Sequence, residues 1–480
     1  MSISIIRNSA RAESHGPPCY FTAVEENRMN KIKNLPEDRF LKVFFAFMTL
    51  CFLAAAPIMP DRGQMFTGLR DILLGTCKIS TNYFALGGFS ATFLNMGLVG
   101  LICTALCCLP GAKPNNVTTL GVLLTIGFGS WGINPLNILP TILGVFLYCL
   151  VKKEKPGAMA NAMLYSTGIA PLISDLLFRY PGLEYVGFNW VGLALALFVG
   201  LIIGFFLPAG LTHSPNVHKG YDHYSAALPI GMTAFFLRAV LYNVVLGWKL
   251  GDLGQLSTMG ALDVVSWPMT NIFCFVVFGL CIVFALLMGC TPRDYWNLMK
   301  DSGHGVSFTA KYGNAPFLMN VGIFGLMIVG YFNLAGAIDG RNVWTGMTFG
   351  IVFCMLATCN SGSHPRNVWP IMAGYMATSF LFGWIFQGEG TFALTVGSQS
   401  ILIGLCYANG LSPIAGKYGW PFGILAGGLH YLLVTAVPDL HGGFCLYNGG
   451  FTAALICLML VPQLERFCKT KEQRLAAKTK

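Results

Sequence analysis

The sequence predicts an all-α polytopic membrane protein made of two inverted repeats, each with about five to seven membrane segments. Three observations lead to this prediction: an apolar composition, an internal duplication and a reversal of loop charge between the halves. The chain has 480 residues, of which 55% are hydrophobic and only 10% are charged, and its mean hydropathy is +0.63. Soluble domains carry about 25% charged residues. The apolar runs have the length of membrane-spanning helices rather than of barrel strands.

The duplication is marked by one phrase that occurs twice. GINPLNILP at 132–140 and GSHPRNVWP at 362–370 share the pattern G-x-[N/H]-P-x-N-x-x-P at an offset of 230 residues. Further matches keep their order on both sides of the phrase, such as YSAAL at 224–228 with FTAAL at 451–455. We therefore expect one membrane repeat at 39–245 and a second at 268–462.

The charge of equivalent loops predicts that the repeats are inverted. KKEKP at 152–156 carries three lysines, whereas its counterpart FQGEG at 386–390 carries none and one acid. The first repeat follows a basic run and ends near-neutral, and the second begins near-neutral and ends basic. Because basic residues are retained in cytoplasmic loops, this reversal predicts an odd number of crossings in each repeat.

The segments outside the repeats carry much of the positive charge. Residues 1–38 are predicted to form a cytoplasmic tail, 246–267 a linker, and 463–480 a basic cytoplasmic tail. Basic residues beside the first and last helices explain the net charge of +10 without a nucleic-acid partner. The N-terminal stretch lacks the apolar core and cleavage site of a secretory signal. We expect a multi-pass protein of the plasma (inner) membrane, in contact with lipid and with both termini cytoplasmic.

Five helices are predicted in each repeat around a less regular centre. They lie near 40–59, 84–109, 160–178, 186–207 and 224–246, and near 268–290, 314–334, 392–412, 420–437 and 445–462. The intervals 117–151 and 343–384 remain, and each contains the repeated phrase. The first has about 35 residues and no polar loop, whereas two full spans need roughly 40 residues and a turn. Either two short helices cross there, or a re-entrant hairpin enters and returns.

The repeated phrase predicts a helix break followed by a helix start. Pro135 and Pro365 cannot donate a backbone hydrogen bond, and each can occupy the first position of a new helix. Asn134 precedes the first proline, where its side chain can cap exposed N–H groups. His364 holds the equivalent place before the second. Such breaks are tolerated at membrane depth where protein or a water-filled cavity satisfies the freed backbone groups.

These half-helix starts are also the predicted solute site. Inverted-repeat transporters build midplane sites from helix starts that expose N–H donors. Asn137 and Asn367 follow the prolines by two residues and can offer amide groups to a polar solute. Arg366, matched by a leucine in the first repeat, favours an anionic solute. The structural alternative is that the prolines kink packed helices, the asparagines bridge them and the arginine extends to the interface.

Four further polar residues are candidates for coupling or gating. Asp175 is matched by Lys417, and acids near helix ends can relay protons or cations. Asn95 and Asn320 occupy equivalent places among small residues that favour close helix contact. The alternatives are interfacial charges for the first pair and helix packing for the second.

An enzyme is not predicted, and neither is a metal or a cofactor. The loop HSPNVHKGYDH at 213–223 has three histidines at five-residue spacing that could gather on a metal. The other repeat has nothing similar. The chain also lacks the common nucleophile, zinc-protease, phosphate-loop and dinucleotide motifs.

The doubled phrase, with GGFSATFLNMGLVG at 87–100 and LYNGGFTAAL at 446–455, resembles a family of uncharacterised prokaryotic membrane proteins. That family is known as a domain of unknown function, often present in two copies. The resemblance covers most of 39–462 and implies a bacterial or archaeal polytopic protein with no assigned substrate. LHGGFCLYNGG at 440–450 is similar to a phrase of urea transporters, but an insertion interrupts it and urea is not carried over as the substrate.

The sequence thus predicts transport of a small polar or anionic solute through a midplane site between the repeats, with Na⁺ or H⁺ as the candidate coupling ion. A secondary transporter is the main prediction. A passive channel of urea-transporter type and an intramembrane enzyme are the alternatives. The oligomeric state is not predicted.

Overall fold

A computed structural model describes residues 31–76, 81–179, 185–245, 263–386, 395–434 and 436–478. Every regular element among these residues is helical. Eight of the helices are long and apolar enough to cross a membrane. The chain is therefore a multi-pass helical membrane protein whose outer helix faces contact lipid, and the predicted all-α class is confirmed.

The described part of the first repeat has nine α-helices. In chain order they are α1 (Glu37–Ala55), α2 (Met65–Leu74), α3 (Tyr83–Cys107), α4 (Asn116–Phe128), α5 (Pro135–Lys152), α6 (Ala160–Ser166), α7 (Ala170–Arg179), α8 (Trp190–His218) and α9 (Ala227–Arg238). A π-helical stretch, Ala239–Val245, follows α9. The predicted linker falls largely on 246–262, which lies outside the described residues.

The described part of the second repeat repeats this order with several shorter elements. Its helices are α10 (Trp267–Leu287), α11 (Pro292–Leu298), α12 (Phe308–Tyr312), α13 (Asn314–Asp339), α14 (Gly346–Leu356), α15 (Pro365–Ile385), α16 (Gln399–Ala408), α17 (Ser412–Tyr418), α18 (Trp420–Val434), α19 (Val437–Leu440) and α20 (Asn448–Phe467). A last helix, α21 (Lys471–Lys478), follows.

Equivalent helices pack in the same way in both repeats. Helix α5 packs on α8, and α15 packs on α18, through glycines that allow backbones to touch. A Cβ atom on Gly204 would lie 2.0 Å from the carbonyl oxygen of Thr141, and one on Gly427 would lie 2.0 Å from that of Ile371. The duplication read from the sequence is therefore visible in the packing, while the inverted orientation of the repeats stays a prediction.

One predicted helix is interrupted near its centre, and its twin, predicted at 392–412, is interrupted near its end. The segment predicted at 160–178 changes to a 3-10 turn at Thr167–Ile169, and its twin does so at Asn409–Leu411. A proline, Pro171 or Pro413, follows each turn and cannot supply a helical hydrogen bond there. In the first turn the freed carbonyl of Gly168 accepts the backbone N–H of Leu446.

Helical structure extends into both of the predicted tails where these are described. Helix α20 runs to Phe467, and the predicted tail continues as α21, where the Arg474 guanidinium donates to the carbonyl of Tyr418. At the other end α1 begins within the predicted tail, and Glu37 accepts hydrogen bonds from Ser307 and Thr309, both at 2.5 Å. Residues 1–30 lie outside the described part of the chain.

Candidate functional site

The first helix break runs from Gly129 to Asn134, and its polar groups bond within the protein. Asn134 accepts the N–H groups of Leu136 and Asn137, both at 3.0 Å, and donates to the carbonyl of Ile72 at 3.2 Å. The Asn137 amide donates to Gly132 and to the Ser174 hydroxyl at 2.9 and 3.0 Å. Pro135 is the first residue of α5, as predicted. Asn134 and Asn137 therefore form a reciprocal cap that leaves little for a solute.

The second break, Cys359 to His364, keeps the backbone half of this cap, but Nδ1 of His364 has no hydrogen-bond partner within the described residues. His364 donates its backbone N–H to Asn367 at 3.0 Å, and its Nε2 hydrogen bonds the carbonyl of Asp301 at 3.1 Å. The Asn367 amide donates to Gly362 at 2.9 Å, and Pro365 begins α15. In each repeat, the residue before the proline thus hydrogen bonds a backbone carbonyl that precedes α3 or α13. This carbonyl belongs to Ile72 in the first repeat and to Asp301 in the second.

Asn95 and Asn320 brace the two breaks. The Asn95 amide donates to the carbonyls of Gly129 and Ile133 at 2.7 and 2.9 Å. The Asn320 amide donates to the corresponding carbonyls, those of Cys359 and Ser363, at 3.0 and 2.9 Å. Both side chains are fully buried. They satisfy carbonyls that the breaks remove from helical hydrogen bonding, which explains how the breaks persist inside an apolar protein.

The two breaks lie at opposite ends of a central antiparallel pair, α4 and α14. At one end Ser130 donates to the carbonyl of Gly346, the first residue of α14, at 2.7 Å. At the other end the Asn360 amide donates to Thr119, near the start of α4, at 3.1 Å. A 13-residue helix such as α4 is about 20 Å long. A single solute therefore does not contact both motifs at once in this structure.

One cavity gathers most of the predicted site residues of the second repeat. We call it the basic cavity; it has a volume of about 510 Å³. Its charged and polar lining comprises Lys300, Asp301, Ser302, His364, Arg366, Asn367, Lys417, Lys471 and Glu472. Asn134, Pro135 and Asn137 are not among the residues that line it.

The charge of the basic cavity is positive. Of its acids, Asp301 is bonded to Lys311 at 2.6 Å and to the Tyr312 hydroxyl at 2.8 Å. Burial raises the pKa of Asp301, but these hydrogen bonds and the Gly303 N–H outweigh it and hold the pKa below its ordinary value. Arg366 lies over the Trp296 ring at 5.6 Å and Lys417 over the Tyr221 ring at 5.2 Å. Neither of these two cations has a carboxylate within salt-bridge distance among the described residues.

A second cavity lies on the other side of the same break. We call it the Asp222 cavity; it has a volume of about 390 Å³, and Ser361 of the break is part of its wall. Its polar lining includes Asp222, His223, His218 and Ser225, together with Asn116, Asn161, Tyr165 and Thr212. Residues of the second break therefore line two cavities, whereas neither these two nor three further cavities among the described residues are lined by the first break.

Asp175 and Lys417, which the sequence pairs, lie in unlike surroundings. Asp175 is buried, forms an ion pair with Arg179 and accepts the Tyr242 hydroxyl at 2.6 Å. Its charge is thus held inside the first repeat and stabilises the joint between α7 and the π-helical stretch after α9. Lys417 lines the basic cavity.

The sequence analysis did not single out Asp222 and His223 as a site on their own. They belong to the histidine-containing loop that the sequence suggests as a metal binder. No group of three or more metal-ligating side chains occurs in the described part of the chain. The useful signal was the comparison of the repeats: Trp131 of the first break is matched by Ser361, and a small polar residue in place of an indole indicates open space.

The sequence matches one family model twice, over residues 61–243 and 290–466, and the family is described as "Protein of unknown function (DUF1576)". These matches agree with the family resemblance and with two copies of one domain. No curated protein and no solved structure matches the chain. The similarity to urea transporters accordingly has no support beyond the short phrase at 440–450.

Proposed function

The chain belongs to this family of unknown function, and we propose that it is a secondary transporter for a small anionic solute. The proposal places it in the plasma membrane of a prokaryote, with both termini in the cytoplasm and without a catalytic role. One observation carries it: residues of the second helix break line two cavities, one of which is basic and contains Arg366.

The lining of the basic cavity supports an anionic solute. Lys300, Arg366, Lys417 and Lys471 surround it, against Glu472 and an Asp301 that Lys311 already neutralises. Arginine offers a planar pair of donors that fits a carboxylate or a phosphate. The start of α15 adds a positive dipole end to the same cavity.

The distribution of basic residues supports the proposed orientation. The loop after α5 holds Lys152, Lys153 and Lys155, and Ala158 in the same loop lines the Asp222 cavity together with Ser361. The loop lysines and the second break therefore lie at the same end of the molecule. Because cytoplasmic ends retain basic residues, we assign this end to the cytoplasm. The basic cavity is then the cytoplasmic opening.

The antiparallel central pair supports alternating access. Helices α4 and α14 cross closely: a Cβ on Gly127 would lie 2.6 Å from the carbonyl oxygen of Gly350. One break lies at each end of this pair, so a rocking of the halves about it would open the two ends in turn. In this structure the first break is closely packed, and the second break lines two cavities.

Uptake into proteoliposomes tests the proposal. A panel of small carboxylates, inorganic phosphate and neutral amides including urea would be offered with and without imposed Na⁺ and H⁺ gradients. We expect gradient-driven accumulation of an anion. We also expect Arg366→Gln to weaken its apparent affinity about tenfold, which corresponds to about 1.4 kcal/mol. Arg341→Gln, which removes the same charge at the opposite end, is the matched control.

Two results would change the assignment. Rapid downhill passage that ignores every gradient would make the protein a passive channel. Absence of uptake across the whole panel, with correctly folded protein in the vesicles, would contradict transport. An unaltered affinity in Arg366→Gln would remove this arginine from the solute path.

A further inference from the structure

The Asp222 cavity contains two buried polar atoms that have no hydrogen-bond partner. Asp222 is 3% exposed, and its Oδ1 accepts the N–H of Tyr224 at 2.8 Å. Its Oδ2 has no partner within the described residues, and neither has Nε2 of the adjacent His223. Buried polar atoms are rarely left unpaired because each costs free energy. Two such atoms on neighbouring residues that line one cavity indicate a site where a proton or a small polar ligand can bind.

The same residues form a joint between the two repeats. The His223 backbone N–H donates to the carbonyl of Gly410, which lies in the 3-10 turn between α16 and α17, at 3.0 Å. The Tyr224 hydroxyl donates to the Asn409 side chain at 3.0 Å. A Cβ on Gly410 would come within 2.8 Å of Asp222 Oδ1. The Oδ1 side of the Asp222 carboxyl group thus packs against a helix break of the other repeat, while the side chain also lines the cavity.

Within the described part of the chain, no cation forms an ion pair with Asp222. The titratable groups near it are uncharged or weakly basic: His218 and His223 of its own loop, Tyr224, Cys457 of α20, and His304 and His364 near the cavity. Burial raises the pKa of Asp222 to about 7. Burial, with the neighbouring histidines, lowers the pKa of His223 to about 3. The joint therefore tolerates a neutral pair far better than a charged carboxylate.

The cavity supplies a route for protons to this carboxyl group. Val117 and Gly305 on its rim are exposed, so it reaches the surface at the end that carries the basic loop. A proton from water in the cavity can add to Oδ2 without any other group moving. Loss of that proton would leave an uncompensated charge against Gly410, which only hydration or separation of the two repeats can relieve.

We propose that Asp222, with His223 beside it, is the protonation site that couples proton movement to solute transport. The inference rests on the proposed transport function and names H⁺ as its driving ion. In the protonated state the Asp222–Tyr224 turn stays packed on Gly410. In the ionised state the contact opens, and the second break, whose Ser361 lines the same cavity, opens with it.

Infrared spectroscopy of the reconstituted protein tests the protonation site without any solute. We expect a protonated-carboxyl C=O band that disappears as the pH rises through about 7 and that is absent in Asp222→Asn. Glu465→Gln removes an exposed carboxylate at the same end of the molecule and should keep the band. Asp222→Glu retains a carboxyl group and should keep a band with a shifted midpoint, so that a misfolded asparagine variant does not decide the result.

Proton-driven uptake tests the coupling. With the anion that the panel identifies, a pH gradient should drive accumulation in wild type and fail to do so in Asp222→Asn, while exchange of internal for external solute continues. A missing band, or a band that survives in Asp222→Asn, overturns the inference even if uptake occurs. Uptake that is indifferent to the pH gradient also overturns it. A band without uptake of any solute refutes the transport function and leaves Asp222 as a protonation site.

Discussion

The two helix breaks share a backbone design and differ in what surrounds them. Both begin a long helix with a proline, donate the backbone N–H before that proline to the asparagine two residues after it, and are braced by a buried asparagine. The first contains Trp131 and Ile133, which are 2% and 0% exposed, and it is closely packed. The second has Ser361 and Ser363 at these positions, and a cavity lies on each side. The two breaks thus share a scaffold, but cavities adjoin the second break directly, whereas the cavity nearest the first break is lined by the α2 segment and not by the break itself.

The largest expected effect comes from removing the side chain that fills the first break. Trp131 packs edge-on against Phe128, with ring centroids 5.1 Å apart. Trp131→Ser should lower the free energy of unfolding by about 4 kcal/mol, because it leaves an empty cavity in an apolar core. Thermal unfolding of the detergent-solubilised protein, followed by circular dichroism, measures the loss. Trp384→Ser is the control, since that indole is 79% exposed.

The opposite substitution, Ser361→Trp, tests the same difference in packing between the two breaks. Ser361→Trp should fill part of the Asp222 cavity and abolish uptake without a comparable loss of stability, because the second end has room for the side chain. If Trp131→Ser is tolerated or Ser361→Trp leaves uptake unchanged, the two breaks do not differ in the way proposed here.

The second effect is a pH dependence of the unfolding free energy, which we expect from Asp222 near the second break. The folded protein holds a proton on Asp222 up to about pH 7, whereas the unfolded chain releases it near the ordinary value of 3.8. Wild-type stability should therefore fall as the pH rises between these values. Asp222→Asn should gain about 3 kcal/mol relative to wild type between pH 5 and pH 8. A pH-independent difference between the two proteins in thermal unfolding would contradict the raised pKa.

The braces should matter equally at both ends. Asn95→Ala and Asn320→Ala each remove two buried hydrogen bonds to break carbonyls, and each should cost about 2 kcal/mol. Unfolding of both variants in one detergent gives the comparison directly. Thr378→Ala is a suitable control, because that hydroxyl bonds only within its own helix, to Gly374 at 2.8 Å. A large cost at one end alone would show that only one break depends on its asparagine.

The smallest expected effect concerns the residue before each proline, which is Asn134 in the first break and His364 in the second. Asparagine is the better N-cap, so His364→Asn should change stability by less than about 1 kcal/mol and in the stabilising direction. Asn134→His should destabilise, because the closed first break has no space for an imidazole. Thermal unfolding of the pair decides this. A large loss of stability in His364→Asn would mean that the hydrogen bond from the imidazole to the Asp301 carbonyl stabilises the fold.

The sequence was most informative where backbone chemistry is local. Proline placement located both breaks to the residue, and the offset of 230 residues located the second repeat. The prediction that Asn137 and Asn367 contact one solute depended on distant packing, which sequence offset does not contain. The structure places the two equivalent positions at opposite ends of the antiparallel pair α4 and α14, and the sequence offset gives no information about that pairing. Asp222 stayed unrecognised because its burial comes from Gly410, almost 190 residues later.

The central pair also bears on how the protein is assembled. Ser130 of the first half donates to Gly346 of the second, and Ser361 of the second lies 3.5 Å from the carbonyl of Asn116 in the first. Near-equivalent groups of each half thus meet near-equivalent groups of the other, as in a two-fold dimer. The chain can be regarded as a homodimer joined into one polypeptide. The first half on its own would lack the contacts that Gly346 and Gly350 provide to Ser130 and Gly127.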